Sequence, residues 1–233
     1  MTSHRDKCET FAALHRRDGA FLIPNPYDVG SARVLQSLGF PALATTSAGF
    51  AQTLGRADGK ARLEEKIAHC TALAAATDIP INVDFEDGYA RTPEEVGRNV
   101  VTIASTGVAG CSIEDYDREA QRMIGIDAAV ERLQAAAAAV AAMDVPFMLT
   151  ARAEVLLRRA GDLDETIRRL QAYERAGADV LYAPALKTLE ELQQVAAEVS
   201  RPINALGVMF RGATVAELAD AGARRISVGS ALA

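Results

Sequence analysis

Eight short apolar runs alternate with seven longer segments of 3.6-residue period, and this rhythm restricts the fold more than any other feature of the chain. The runs, at residues 20–24, 42–46, 81–85, 110–113, 146–151, 180–183, 203–206 and 225–228, are rich in β-branched residues and read as buried parallel strands. The periodic segments, residues 28–38, 62–76, 92–106, 127–143, 164–176, 189–199 and 214–221, read as helices. Their punctuation agrees. Asp28 stands as an N-cap and Gly39 as a C-terminal glycine, and Thr92-Pro93-Glu94-Glu95 combines a cap, a proline in the first turn and a capping box. Regular βα alternation demands right-handed crossovers and a parallel sheet. Eight strands predict a closed (β/α)8 TIM-type barrel occupying residues 1–233 as a single domain, with an open doubly wound sheet as the alternative. The sequence stops just after strand eight, at Ser230-Ala231-Leu232-Ala233, so the barrel is expected to lack its eighth helix within this chain.

Composition bounds the function. Of 233 residues 49% are hydrophobic and 24% charged, which suits a packed globular domain. With 25 Lys+Arg against 31 Asp+Glu the formal charge is −6, and no basic stripe suggests a nucleic-acid partner. No apolar run has the length of a membrane span, and residues 1–17 are polar and mixed in charge, unlike a secretory signal. Cys8, Cys70 and Cys111 form no CxxC or zinc pattern. A cytoplasmic protein with a small anionic substrate, and neither nucleic acid nor membrane as partner, is the expectation.

In a barrel of this kind chemistry gathers where the strands end. After strand two stands Thr45-Thr46-Ser47-Ala48-Gly49, a small hydroxylated turn whose backbone could approach an anion; Asp58-Gly59 follows. After strands three, four and five stand Asp84-Phe85-Glu86-Asp87, Glu114-Asp115 and Arg152-Ala153-Glu154. Asp84 and Glu86 alternate by two, so both are expected to point into the mouth, with Glu114 beside them. Such carboxylates would repel one another unless a cation or shared protons intervened. Oxygen ligands without His or Cys predict Mg2+, with Mn2+ as the alternative. Arg152 offers a forked donor to a substrate carboxylate. Other residues carry plainer readings: His69 as a helix residue without a chemical role, Cys111 as core, the alanine-rich run 135–142 as a tight packing face. Lys187, after strand six, could carry a Schiff base.

The ordered set Asn25-Pro26-Tyr27-Asp28, Thr45-Thr46-Ser47-Ala48-Gly49, Asp58-Gly59, Val83-Asp84-Phe85-Glu86-Asp87-Gly88-Tyr89, Ser112-Ile113-Glu114-Asp115, Ala151-Arg152-Ala153-Glu154 and Ser227-Val228-Gly229-Ser230-Ala231 resembles the isocitrate lyase/phosphoenolpyruvate mutase superfamily over about residues 15–233. The resemblance implies a Mg2+-binding barrel that makes or breaks a C–C or P–C bond next to a 2-oxo or 2-hydroxy carboxylate through an enolate. It implies Asp84, Glu86 and Glu114 as the metal set, with Asp84 the main carboxylate and Glu86, Glu114 and Asp58 its partners largely through water; Arg152, Glu114 and Asp58 as the catalytic set; and Tyr27, Ser47, Ala48, Gly49, Arg152 and Asn204 around the substrate. It also implies homodimers or homotetramers. The lid after strand four, Tyr116 to Gly125, holds no Cys, His or Lys. That departs from the lyase and mutase branches, disfavours isocitrate or methylisocitrate cleavage, and leaves oxaloacetate decarboxylation or a phosphonopyruvate-like reaction. A Schiff-base aldolase using Lys187 and a non-catalytic, ligand-binding barrel are the competing expectations.

Overall fold

The structure, a computed structural model, describes residues 2–233. The chain runs α1 (His4–Leu14), β1 (Phe21–Leu22), α2 (Val29–Ser37), β2 (Leu43–Ala44), α3 (Ser47–Thr53), α4 (Leu63–Ala76), β3 (Ile81–Asp84), α5 (Pro93–Ala104) and β4 (Gly110–Glu114). A hairpin of β5 (Tyr116–Asp117) and β6 (Arg122–Met123) follows, then α6 (Ile126–Ala141), β7 (Met148–Arg152), α7 (Leu163–Arg175), β8 (Val180–Tyr182), α8 (Leu189–Glu198), β9 (Ile203–Leu206), α9 (Val215–Asp220) and β10 (Ala223–Ser227). Apart from the hairpin, the strands form one parallel sheet in the order β1-β10-β9-β8-β7-β4-β3-β2. The Ala44 amide donates to the Pro24 carbonyl at 3.0 Å, so the two ends of the sheet meet as in a TIM-type barrel.

Every expected strand and helix is present, with ends that differ by a few residues. Asp28, Thr92, Asp162, Thr188 and Thr214 cap their helices through side-chain oxygens, each such cap contributing about 1 kcal/mol. Three elements depart from the sequence reading. Residues 4–14 form α1, opened by a Ser3–Asp6 capping box, and bury Cys8, Phe11 and Leu14 beside Ile23, Ala42 and Ala109. The stretch read as an anion-binding turn is helix α3, capped by Thr46. The lid is the β5–β6 hairpin. After β10 the described residues carry a 3-10 turn, Gly229–Leu232, rather than an eighth helix.

The strands invert the usual barrel pattern, in which branched aliphatics fill the interior. Val83, Cys111, Leu149, Ala151, Leu181, Ala205 and Ile226 are buried in the apolar cluster that also takes in helix side chains. The alternating positions, Asn82, Asp84, Ser112, Tyr182, Asn204, Arg225 and Ser227, line a central cavity. Cys111 is therefore core, as expected, and burial pushes its thiol well up. The alanine run packs closely against α5: a Cβ on Gly97 would stand 3.2 Å from the Ala135 carbonyl oxygen. No helix among the described residues is long and apolar enough to cross a membrane.

Candidate active site at the strand ends

Asp84 ends β3. Its Oδ2 accepts from the Ser47 amide at 2.9 Å, while the Asp84 amide donates to Thr45 Oγ1 at 2.9 Å. Burial alone would raise this carboxyl, but Arg152, Lys66 and the Ser47 hydrogen bonds outweigh it and hold the group below its ordinary value. Its Oδ1 is buried and has no hydrogen-bond partner.

Glu86 does not follow Asp84 into the cavity. The period-two rule holds only while the chain stays extended, and β3 ends at Asp84; Glu86 adopts φ 48° in a loop where Tyr89 (φ 52°) and Gly88 (φ 77°) are also left-handed. Its carboxylate accepts from the Tyr89 hydroxyl and faces Arg118 Nη1 at 3.7 Å and Lys66 Nζ at 4.0 Å. Burial pushes its pKa up against the pull of those partners.

Glu114, at the end of β4, faces Arg152 Nη1 at 3.5 Å and Arg158 Nη2 at 3.9 Å. Burial, with Glu154, Asp84 and Glu86 nearby, drives its carboxyl well above the usual range despite Arg152. Arg152 spans the group: Nη1 lies 3.7 Å from Asp84 Oδ1, and Nε donates to Glu154 Oε1. Glu154 is fully buried and also takes Arg158 Nε at 2.8 Å, while its amide donates to Asp115 Oδ1 at 2.7 Å. Asp115 is in turn fixed by Tyr173 and Arg169.

The expected crowd of carboxylates is thus real, but the chain supplies counter-charges of its own. Lys66, Arg118 and Arg158 were not anticipated. Lys66 shares a helical stripe with Cys70 and Leu73 and is fully buried, its Nζ donating to the Asp84 carbonyl at 3.2 Å; a lysine on an apolar stripe was the available signal. Glu154 carried the same signal as Glu86, standing two residues beyond Arg152. Arg118 reaches back from the hairpin onto Asp87 (3.2 Å), the Ala61 carbonyl (2.8 Å) and the Tyr89 ring (3.7 Å to the ring centre). No sequence pattern ties it to those partners.

The substrate set is brought together in part. The Ser47 amide is taken by Asp84, and the Gly49 amide by Thr46 Oγ1 at 3.2 Å. A Cβ on Gly49 would meet Thr46 Cγ2 at 2.6 Å and the Cβ atoms of Tyr27 and Ala233 at 3.2 Å. Gly49 therefore serves close packing among α3, Tyr27 and the chain end, and the turn is the start of a helix in which the Ser47 and Gly49 amides already have acceptors. Ala48 lies within the same first turn of α3. Tyr27 is half-buried, its amide donating to Ser31 Oγ. Asn204 lines the cavity, with Nδ2 donating to Ser227 Oγ at 3.0 Å and Oδ1 accepting from Arg225 Nε at 2.8 Å. Asp58 is exposed and accepts from the next amide, Gly59, at 3.0 Å; its side chain does not join the buried acids. Lys187 is exposed at the start of α8 and does not line the cavity. His69 sits on α4, stacked on Phe50 at 4.0 Å.

Among the described residues, no three His, Cys, Asp or Glu side chains converge as a metal-ligating set. Glu86 and Glu114, expected as partners of Asp84 largely through water, do not stand as direct ligands beside it: Glu86 accepts from Tyr89 in a left-handed turn, and Glu114 faces Arg152 and Arg158. Asp84 Oδ1 remains, a buried carboxylate oxygen that accepts no hydrogen bond and has Arg152 Nη1 3.7 Å away. That donor fits a cation bound through one carboxylate with water completing its shell, which is the habit of Mg2+.

A hollow of about 620 Å3 lies between the hairpin and α5 and holds neither Asp84 nor Arg152. The cavity inside the ring measures only about 50 Å3. Yet it is lined by three of the six partnerless buried side-chain atoms among the described residues: Asp84 Oδ1, Asn82 Oδ1 and Arg225 Nη1. Buried polar atoms without partners carry a penalty of about 1–3 kcal/mol each. Their concentration at the strand ends marks this cavity as the candidate site.

Comparison with known proteins agrees with the fold. The chain is 32% identical over 223 residues to an uncharacterised protein of Mycobacterium tuberculosis (strain CDC 1551 / Oshkosh), covering 95% of this chain and 82% of that one. It is 29% identical to an oxaloacetate decarboxylase of Ectopseudomonas mendocina (strain ymp), covering 86% and 70%. Among solved structures, a Burkholderia cenocepacia J2315 protein with a provisional lyase/mutase assignment superposes with a TM-score of 0.94 at 43% identity, over 98% of this chain and 83% of that one. An oxaloacetate acetylhydrolase bound to its product oxalate superposes with a TM-score of 0.89 at 27% identity, over 100% and 83%. The profile of phosphoenolpyruvate phosphomutase matches residues 11–233, and the chain belongs to that family, within the phosphoenolpyruvate mutase/isocitrate lyase superfamily of lyases and mutases.

Proposed function

We propose that this chain is a Mg2+-dependent lyase or mutase-type enzyme that breaks or makes a C–C or P–C bond in a small 2-oxo carboxylate through an enolate, with oxaloacetate decarboxylation as its first candidate reaction. The observation that carries this reading is the cavity at the strand ends. It offers partnerless acceptors at Asp84 and Asn82 and a partnerless donor at Arg225, and so suits a ligand that combines a cationic centre with an anionic oxygen. Relatives whose names specify oxaloacetate support the choice of substrate.

Asp84 Oδ1 would hold the metal; the carboxylate–water donor set suits Mg2+ and Mn2+ alike. Bound there, the cation supplies Lewis-acid stabilisation of the charge that develops on an enolate oxygen. The chain's own groups do the rest. Lys66 and the Ser47 amide hold Asp84 ionised and oriented. Arg152 meets a substrate carboxylate by exchanging one of its internal acids for it. Glu114, whose affinity for a proton is raised by burial and acidic neighbours, lies beside Arg152, where an enolate carbon would take up a proton. Neutral CO2 needs no acid on the lid, which agrees with a hairpin lacking Cys, His and Lys. The Arg118 and Arg158 contacts hold that hairpin over the mouth, Arg158 through the Tyr116 ring at 3.8 Å.

The test is direct. Oxaloacetate is supplied with Mg2+, and pyruvate is followed by coupled reduction. Metal-dependent pyruvate formation abolished by EDTA is expected; turnover no faster than the free Mg2+ background, with oxaloacetate and phosphonopyruvate alike, overturns the reading. Assembly as a homodimer or homotetramer is part of the same proposal and is read by light scattering.

A further inference from the structure

Two guanidinium groups line the cavity, and their electrostatic situations are opposite. Arg152 is surrounded by carboxylates, with Asp84, Glu114 and Glu154 all within 4.0 Å. Arg225, one turn of the strand alternation below Ser227, has none: among the described residues no acidic group forms an ion pair with it. Its Nε donates to Asn204 Oδ1 at 2.8 Å and its Nη2 to Thr150 Oγ1 at 3.1 Å, both neutral acceptors. Its Nη1 is buried with no acceptor, and the side chain, only 2% exposed, lines the cavity.

The groups around it do not compensate the charge. His15 lies close enough to feel it, but burial and Arg225 hold that imidazole neutral, down to about 3. Tyr182, also on the cavity, is raised to about 12 by burial and stays a neutral phenol. Burial lowers Arg225 itself to about 10. A guanidinium buried without a counter-ion is strongly unfavourable. The interior nevertheless keeps it, with one N–H left without an acceptor on a side chain that lines the cavity.

We propose that Arg225 is the anion-receiving residue of this cavity, binding one carboxylate of the substrate from the floor of the barrel while Asp84 serves the opposite, cationic end. The cavity is small, about 50 Å3, and would take the carboxylate end of a short 2-oxo acid, with the rest extending toward the mouth. Selection then works by charge: an acid is held and its ester or amide is refused, because only the carboxylate relieves the unpaired guanidinium. The assignment rests on the proposed function only in taking a 2-oxo acid as the ligand.

The two ideas are separated by measuring binding without turnover. Oxalate is titrated by calorimetry into the wild type, Arg225→Met and Asn204→Asp in chloride-free buffer containing EDTA, and thermal unfolding is followed in parallel. Oxalate binding to the wild type is expected, with a loss of about tenfold or more in Arg225→Met, the scale of one charge-assisted contact. Without oxalate, Arg225→Met should melt no lower than the wild type, since it removes an unpaired buried charge. Should that variant fail to fold, Asn204→Asp decides: its carboxylate would neutralise Arg225 internally and weaken oxalate to a similar degree while preserving the fold. Wild-type protein that ignores oxalate, or variants that bind it as the wild type does, overturns the proposal. So does an Arg225→Met protein that melts several degrees lower with oxalate affinity intact, which would make Arg225 a strut between Asn204 and Thr150. Mg2+-dependent oxaloacetate turnover, measured separately, can stand while this assignment falls.

Discussion

The Ser47 amide donates to Asp84 Oδ2 at 2.9 Å, leaving Oδ1 as the one oxygen of that carboxylate without a hydrogen bond. One end of Asp84 is committed to holding β3 against the start of α3, and the other faces Arg152 Nη1 at 3.7 Å. The first turn of α3 thereby orients the Asp84 carboxylate.

Asp84→Asn should therefore retain the fold and lose the metal. The Ser47 bond can survive on the carboxamide oxygen, but the anionic donor is gone. We expect Mg2+ affinity, read by titrating oxaloacetate turnover, to fall by about a hundredfold. Unchanged metal dependence would remove Asp84 from the site.

Gly49→Ala tests packing against ligand binding at a position that the sequence assigned to the substrate. The new Cβ would lie 2.6 Å from Thr46 Cγ2, so α3 must shift at a cost of about 1–3 kcal/mol. A lower urea midpoint is expected. A variant as stable as the wild type would contradict the close packing described here.

Glu154 is fully buried between Arg152 and Arg158. Glu154→Gln removes the carboxylate nearest both guanidinium groups, leaving Arg152 with Asp84 and Glu114 and Arg158 with Glu114 at longer range. The loss on breaking a buried pair is about 3–5 kcal/mol; because Arg158 is a third exposed, the low end, about 3 kcal/mol, is expected in chemical denaturation. A loss below about 1 kcal/mol would class the triad with surface pairs.

Two histidines make stability sensitive to acid. Burial lowers His15 to about 3 and His69 to about 4. Unfolded, each binds a proton below about 6.5. Between that value and the folded one the unfolded state holds more protons, so stability falls as pH drops. Buried acids with raised values, such as Asp179, act in the opposite sense, so the comparison must be differential. His69→Phe preserves the stack on Phe50, and its unfolding free energy should depend less steeply on pH between about 6 and 4 than that of the wild type, by up to about 1.4 kcal/mol per pH unit. Identical slopes in urea titrations would show that His69 does not titrate across this window.

Much of this was legible in the linear sequence. The βα rhythm carried the barrel, and cap residues such as Thr92 and Thr188 located helix starts because capping is a local hydrogen bond. Asp84 and Arg152 were legible as strand-end residues facing the mouth. Glu86 misled because the alternation was extended one step beyond the end of β3, into a left-handed turn. α3 was missed because its seven residues, Ser47–Thr53, are too few to display a helical period. Arg225 was overlooked although it alternates with Ser227, since no local rule says that a strand arginine will lack an acidic partner.

Periodicity, capping and the placement of acids at strand ends are properties of neighbouring residues, so the order of amino acids alone determined the barrel and the rim on which its polar groups stand. Which charges neutralise one another is a matter of distances across the ring. Lys66, Arg118 and Arg158 come to the acids from a helix, a hairpin and a loop far apart in sequence, while Arg225 is left without a partner. Coulombic energy depends on separation in space and on burial, and only the closed tertiary structure decides either.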